Sequence, residues 1–381
     1  MRFFYILRSQ HGGGVCKKIK GQIQSLKQQG ITVVFQEYDN IRESLSEEKN
    51  NKILRFPYKN SFVFGIFLKL KREYLVNNAL NDLIKISTND DILYFRFPFP
   101  SLMLSKILKR SRKCKIVIEY QSIALLQWRL KGEWLLIIND LIFGGPIRKY
   151  ADAIVGLTDE ITQFELKRSG RPDKKHITIG DGYDVHSVNP RKTPPFNQEE
   201  LSLLCVAQVD RWHGIDRIIA GIEAYSGPLS VKFHIAGTGA EIPNLKKMVD
   251  RKGLTDKVIF HGFVSGIALD NLFDQCHIAI GSIGLHRIGL SEASVLKHRE
   301  YCARGIPYII ECSDHDFPDD FPYFYTVPAD ESPISIDDIL HFTISVFSDQ
   351  GHPQKMHDYA LKYLDWSIKM KKLIPFLENL T

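Results

Sequence analysis

Two glutamates, Glu292 and Glu300, stand with seven residues between them in the stretch GSIGLHRIGLSEASVLKHREYCARGIP. Ser291, Ser294, Lys297 and Arg299 surround the pair, and Arg287 precedes it in a glycine-containing loop. Cations and backbone N–H groups hold phosphates, and a carboxylate accepts paired ribose hydroxyls. A helix beginning near Ser294 places Ser294, Val295 and Leu296 at its start, Lys297 in its first turn and Glu300 one turn later. That arrangement suits a sugar diphosphate. An exposed helix with an ordinary i, i+3 ion pair, Lys297 with Glu300, is the plainer alternative.

Three other loops have the same character, each following an apolar run and preceding a helical one. Gln208-Val209-Asp210-Arg211-Trp212-His213-Gly214 sets a cation and an imidazole before a helix start. Arg211 can fork onto a diphosphate, while a solvated arginine beside a packed tryptophan is its ordinary alternative. Gly237-Thr238-Gly239 follows the next apolar run. Near the N-terminus, His11-Gly12-Gly13-Gly14 opens another helix. Those glycines let backbone approach a ligand closely, or merely form a tight turn. None of these loops is G-x-G-x-x-G, which argues against a two-Rossmann dehydrogenase.

The elements that must carry these loops alternate. Apolar runs at Phe3–Leu7, Thr32–Phe35, Ile92–Phe95, Lys115–Ile118 and Ala153–Leu157 form one series of strands. Leu203–Ala207, Lys232–Ala236, Lys257–Phe260, Ile278–Ile280 and Pro307–Ile310 form a second. Periodic segments such as Lys17–Gln29, Arg217–Tyr225 and Leu245–Arg251 lie between them. Near-continuous apolar strands separated by helices predict α/β architecture, with parallel sheets covered on both faces. A proline-rich polar stretch separates the series. The expected domains are therefore residues 1–188, a linker at 189–200, residues 201–354, and a C-terminal helical stretch at 355–381 packing back towards the first domain. Ligands of such sheets bind beyond the carboxyl ends of the strands, where the four loops lie.

The chain has 381 residues, 44% hydrophobic and 25% charged, which excludes a disordered, collagen-like or disulfide-scaffold protein. Its longest apolar runs, among them Phe62–Leu68 and Trp134–Ile138, are too short to span a bilayer. The apolar run after Met1 is too short for a signal peptide, so a cytoplasmic protein is expected. The six cysteines show no metal or disulfide spacing and read as reduced, buried thiols. Residues 1–200 carry 33 Lys+Arg against 21 Asp+Glu, and residues 201–381 carry 17 against 23. The asymmetry suggests that the basic half faces something anionic. Nucleic acid is one candidate, an anionic membrane surface or phosphorylated lipid another, and a solvated face with no partner the plainer alternative. The membrane surface is the partner expected, and no nucleic acid. Residues 101–150, with ten cations against three acids, hold the run Lys109–Lys115 beside Trp128 and Trp134.

The sequence SEASVLKHREYCARGIPYI resembles the E-x7-E element of the GT-B glycosyltransferases called family 4, or glycosyl transferases group 1. Glu292 and Glu300 match its two glutamates, and Ala303, Gly305 and Pro307 match its tail. Ala207–Gly214 resembles the family's G-R-l-x-x-x-K-G loop. Ala151–Thr158 and Ile179–Asp184 resemble its A-D and N-G-v-D segments. Gln208 and His213 replace the motif arginine and lysine, Asp181 replaces the asparagine, and Ala293-Ser294-Val295 replaces G-F-G. The forms WHG-x-D-R-I-I and S-x-L-K-x-R-E-Y-x-A-R-G-I-P look like a bacterial sub-branch similar to enzymes of capsule and O-antigen assembly.

The resemblance implies a GT-B fold, two Rossmann-like domains whose parallel sheets face a central cleft. It also implies retaining transfer from a nucleotide-diphosphate sugar to a glycan or lipid-linked acceptor, on the inner face of the plasma membrane. Arg211, Arg287, Lys297 and the amides of Gly12–Gly14 would take the diphosphate, with His213, Gly237, Ser294, Val295 and Leu296 around it. Glu300 would hold the ribose, and Glu292 would face the sugar hydroxyls. In such a fold cations replace the metal, so no cofactor or metal is expected; Asp314-His315-Asp316 does not stand in a strand-end loop. An epimerase or inverting transferase would need a base in the first domain, where His11 and Glu119 are the candidates. A catalytically inactive partner subunit is the alternative outside enzymes.

Overall fold

The computed structural model describes residues 2–7, 14–37, 77–78, 80–96, 100–110 and 113–380. The apolar run Phe62–Leu68 lies outside them. The chain divides into two compact units, residues 1–179 with 370–381, and residues 180–369.

The first unit holds a six-stranded parallel sheet. Its strands are β1 (Arg2–Leu7), β2 (Thr32–Glu37), β3 (Asp91–Arg96), β4 (Lys115–Tyr120), β5 (Ala153–Gly156) and β6 (Lys175–Thr178), ordered β2-β1-β3-β4-β5-β6. Ile92–Phe95 and Ile116–Ile118 are buried along their whole length, as strands covered on both faces require. Helices Gly14–Gln28, Leu102–Lys109, Ala124–Lys131, Trp134–Tyr150 and Asp159–Ser169 belong to this unit.

The second unit holds β7 (Glu200–Val206), β8 (Ser230–Ala236), β9 (Val258–Gly262), β10 (Ile278–Ile280), β11 (Tyr308–Ile310) and β12 (Phe324–Thr326), also all parallel. Their order is β12-β11-β10-β7-β8-β9. The chain winds outward from β7 to β9, then returns to β10 on the other side of β7. This is the doubly wound Rossmann order, with its switch point between β7 and β10. Side chains alternate as a pleat demands: Leu201, Leu203 and Cys205 enter one apolar layer and Leu204 the other. Cys114, Cys205, Cys276, Cys302 and Cys312 are buried thiols and not disulfides.

The unit boundary falls ahead of the expected linker. Gly180–Ser187 is bound to the second unit through Tyr183, whose N–H donates to Leu364 O at 2.9 Å and whose hydroxyl donates to Glu300 at 3.1 Å. Residues 189–200 are anchored as well. The buried Arg191 guanidinium donates to the carbonyls of Gly305 (3.2 Å), Phe273 (3.2 Å), His277 (3.2 Å) and Cys276. It thereby satisfies chain ends left by helices Ile267–Gln275 and Leu296–Arg304. The C-terminal stretch is two helices, His352–Tyr363 and Trp366–Glu378, and the unit boundary falls within the second. Asp365 separates them, its carboxylate accepting from the N–H groups of Ser367 and Val185.

Arg191→Met leaves several buried carbonyls without donors. A loss of about 3 kcal/mol in the second unit's unfolding free energy by urea titration is expected, with the first unit unaffected.

Candidate functional site

The loops after β7, β8 and β10 meet at the carboxyl edge of the second sheet. Their backbones approach so closely that side chains are excluded. Gly214, at φ +67°, would put a Cβ 2.4 Å from Ile283 O. Gly237, at φ +146°, would put one 1.8 Å from Ala207 O. Both positions need glycine for conformation and for space. The N–H of Val209 donates to Thr238 O at 2.8 Å, and that of Ile283 to His213 O at 3.3 Å, fastening the three loops together.

His213 and Lys297 converge on this point. The His213 Nδ1 accepts the Asp210 N–H at 3.0 Å, which leaves Nε2 to carry the proton in the neutral ring. Burial, together with the Lys297 ammonium, holds its pKa well below the ordinary histidine value. Lys297 lies in the first turn of helix Leu296–Arg304, and its Nζ donates to Gly281 O at 2.7 Å, just past β10. Burial pushes its pKa down from the ordinary lysine value.

The helix begins two residues later than the sequence suggests. Ser294 does not cap it, because its Oγ accepts the Asp181 N–H at 2.7 Å. Val295 occupies the cap position and offers no side-chain acceptor, so the opening turn at Leu296 has no side-chain cap. Uncapped N–H groups at a helix start form an anion-binding end. Asp181 is further fixed by Arg299, whose Nε donates to its carbonyl at 3.0 Å.

The two glutamates sit on different elements. Glu292 lies in an extended segment bridged to Ser313, and the N–H of Ala293 donates to Ser313 O at 2.9 Å. Glu300 lies on the helix, where its Oε1 accepts from Tyr183 and from Arg304 at 3.1 Å. The suggested Lys297–Glu300 pair is replaced by Arg304, one turn further along.

Two sequence-based assignments change. Arg287 is not a cation facing a ligand: its five N–H groups go to Asp216 (2.8 and 2.7 Å), Glu331 (2.9 and 2.6 Å) and Arg211 O (2.8 Å). It holds the loop that carries Arg211, whose own side chain is exposed. Glu119 is not a base. Its carboxylate pairs with Lys18 at 2.7 Å and accepts from Tyr94 (2.6 Å), Gln121 (2.6 Å) and Gln22 (3.3 Å). Burial alone would raise its pKa, but the Lys18 charge and these hydrogen bonds outweigh burial and hold it at about 2. The Gly12–Gly14 cradle falls mostly outside the described residues. Gly14 is the first residue of helix Gly14–Gln28, whereas His11, Gly12 and Gly13 lie outside the described residues. Asp314-His315-Asp316 does stand in a strand-end loop, the one after β11, contrary to the sequence-based expectation. Its carboxylates are both engaged by Arg299, Asp316 also by Lys369.

Arg217 escaped the sequence reading. It is buried on helix Ile215–Ala224, and it donates to Ile283 O (2.6 Å), Glu311 (3.0 Å), Ser332 O (2.9 Å), Pro328 O (2.8 Å) and Asp330 (3.4 Å). Glu311 also accepts the His286 N–H at 2.8 Å. The hint was its position three residues after Gly214, one helical turn into the element behind the loop.

Two Rossmann-like α/β units, one with a glycine-bound loop cluster at its switch point, define a GT-B fold. Residues 189–318 match the family described as "Glycosyl transferases group 1". A search of curated protein sequences finds no significant match. Among solved structures, the chain is similar to sucrose-phosphate synthase from Thermosynechococcus elongatus (14% identity, 100% of this chain and 99% of that one, TM-score 0.67). It is also similar to a glycosyltransferase from Rickettsia africae ESF-5 (14%, 100% and 98%, 0.63). The Anabaena protein HepE in complex with UDP and glucose is a third such structure (13%, 100% and 100%, 0.60).

Glu119→Gln leaves Lys18 buried without its counter-charge, at a cost of about 3–5 kcal/mol at neutral pH. The folded pKa lies below the unfolded one, so the wild-type advantage is full above roughly pH 4.3 and shrinks as pH falls towards 2. Urea unfolding of both proteins across that range measures the gap. Arg217→Lys keeps a charge but cannot reach the same acceptors, and a loss of roughly 3 kcal/mol in second-unit stability is expected by the same method.

Proposed function

We propose that this protein is a retaining glycosyltransferase that moves a sugar from a nucleoside-diphosphate donor to a glycan or lipid-linked acceptor in surface-polysaccharide assembly. The observation that carries the reading is the meeting of Lys297, neutral His213 and the uncapped helix start at Leu296 over the second unit's switch point. The second unit takes the donor. Lys297, the Leu296 end of the helix and exposed Arg211 face the diphosphate, and His213 donates from Nε2. Glu300 accepts the ribose hydroxyls and Glu292 the hydroxyls of the sugar. Arg287 is a positioning residue. The structure of HepE with UDP and glucose is of this fold, which supports a nucleotide sugar as the donor class.

When the glycosidic bond breaks, the leaving diphosphate gains negative charge. Donors fixed in place beforehand stabilise that charge without reorganising, and each contributes several kcal/mol. The mechanism needs no divalent ion, since an ammonium and a helix N-terminus supply the positive potential. The engagement of Asp314 and Asp316 by Arg299 supports the same reading. An inverting transferase or an epimerase needs a basic group in the first unit; of the two candidates, Glu119 is committed to Lys18, Tyr94, Gln121 and Gln22, and His11 lies outside the described residues.

A nucleoside diphosphate at 100 times its Kd should add about 2.7 kcal/mol of stability, equally with and without chelator. A tenfold loss of affinity on chelation overturns metal independence. Lys297→Met should remove most of the shift. Glu300→Ala should weaken nucleotide binding by about 1–3 kcal/mol in calorimetry, because both ribose hydroxyls lose their acceptor. Glu292→Ala should leave that binding intact and lower turnover of the nucleotide sugar.

A further inference from the structure

Helix Trp134–Tyr150 is built inside out. Its buried side carries Asp140 and Arg148 along with Ile137, Gly144 and Ile147. Arg148 pairs with Asp140 at 3.0 Å and with Glu165, and Arg168 pairs with Asp140 at 2.6 Å. The opposite side carries Trp134, Leu135, Ile138, Leu141 and Ile142, each between 52% and 79% exposed. At about 100° per residue these five fall within roughly 120° of arc, one continuous apolar stripe. A helix in a soluble protein normally turns such a stripe to the core. Here the core side is charged and the large apolar residues face outward, which marks a surface that something apolar covers.

The neighbouring elements say what covers it. Helix Leu102–Lys109 packs beside this one, and Asn139 Nδ2 donates to Pro100 O at 2.6 Å. Leu102, on its exposed side, extends the apolar surface, and Lys106 and Lys109 follow at one- and two-turn spacing. Helix Ala124–Lys131 packs on it too and ends in exposed Arg129 and Lys131. Among described residues 100–150, Glu133 is the one exposed acidic side chain. Aliphatic residues rimmed by cations match an anionic bilayer, where the apolar side chains enter the acyl boundary and the cations meet headgroups. A second copy of the chain would set these cations against like charges. Single-stranded nucleic acid would call for a row of stacking aromatics, and beyond Trp134 this face offers leucine and isoleucine.

We propose that the Trp134–Ile142 face, with Lys106, Lys109, Arg129 and Lys131, docks the protein on an anionic lipid bilayer. In a parallel α/β unit a helix starts at the carboxyl edge of the sheet, so the exposed half of this helix lies at the ligand-binding edge of the first unit. The proposal deepens the transferase reading by naming the surface that presents a lipid-linked acceptor, and it rests on that reading for nothing else.

The test is co-sedimentation of the full chain with vesicles of phosphatidylcholine alone and of phosphatidylcholine with phosphatidylglycerol, at low and high salt. Wild type should pellet with the anionic vesicles, roughly tenfold less with neutral ones, and less at high salt. Leu135→Ser, Ile138→Ser and Leu141→Ser combined should reduce pelleting at least roughly tenfold. The triple variant should melt no lower than wild type, since the side chains are exposed, and should keep its nucleoside-diphosphate thermal shift. Lys106, Lys109, Arg129 and Lys131 changed to Glu should abolish the preference for anionic vesicles. Wild type remaining in the supernatant with anionic vesicles overturns the proposal. So does a wild-type dimer in light scattering that the triple variant converts to monomer. Loss of nucleotide binding in wild type would instead count against the transferase reading, and the vesicle result would stand.

Discussion

A buried guanidinium must be given acceptors for all its N–H groups, and the arrangement of the second unit's loop cluster follows from how Arg217 meets that demand. Its partners are Ile283 after β10, Glu311 after β11 and the Pro328–Ser332 segment. Leaving such a charge uncompensated costs several kcal/mol, so these loops have one low-energy arrangement. Glu311 passes the constraint on to His286, and Arg287 beside it reaches back to Asp216 on Arg217's own helix. The loop cluster is thus held from behind by charge, and its front is left to Lys297, His213 and the helix start.

The same device recurs elsewhere. Glu119 is enclosed by Lys18, Tyr94, Gln22 and Gln121, which fixes helix Gly14–Gln28 to the centre of the first sheet. Arg299 gathers Asp181, Asp314 and Asp316 and ties the chain entering the second unit to the helix that carries Glu300. In each case a charged group that the sequence offers as chemistry serves as a fastening, and its depth decides which. Glu119 and Arg287 are surrounded by partners. Arg211 keeps its side chain exposed, and Lys297 meets a carbonyl at the ligand edge.

Much of the fold was legible. Every apolar run assigned as a strand is one, because a strand covered on both faces has to be apolar along its length. β6 (KHIT) and β12 (FYT) escaped, being short edge strands with no such run. The C-terminal stretch read as one helix because its periodicity continues across the break. Contacts distant in sequence stop it: Asp365 is bonded to the Val185 N–H, and Leu364 and Trp366 to the Tyr183 backbone.

By itself the sequence determined the doubly wound α/β class, the placing of chemistry in loops after strands, and the glycines at 214 and 237. These depend on periodicity and on local backbone freedom, which neighbouring residues settle. Tertiary structure alone decided which cations stay at the front of the site. It turned Arg287 and Glu119 into fastenings, raised Arg217 from an ordinary helical residue to the support of three segments, and placed the stripe Trp134–Ile142 outward. Those outcomes depend on partners on other elements of the chain: Glu331 for Arg287, Lys18 for Glu119, Glu165 for Arg148. Whether a charge is free or paired is a property of the space around it, and that space exists only once the chain has folded.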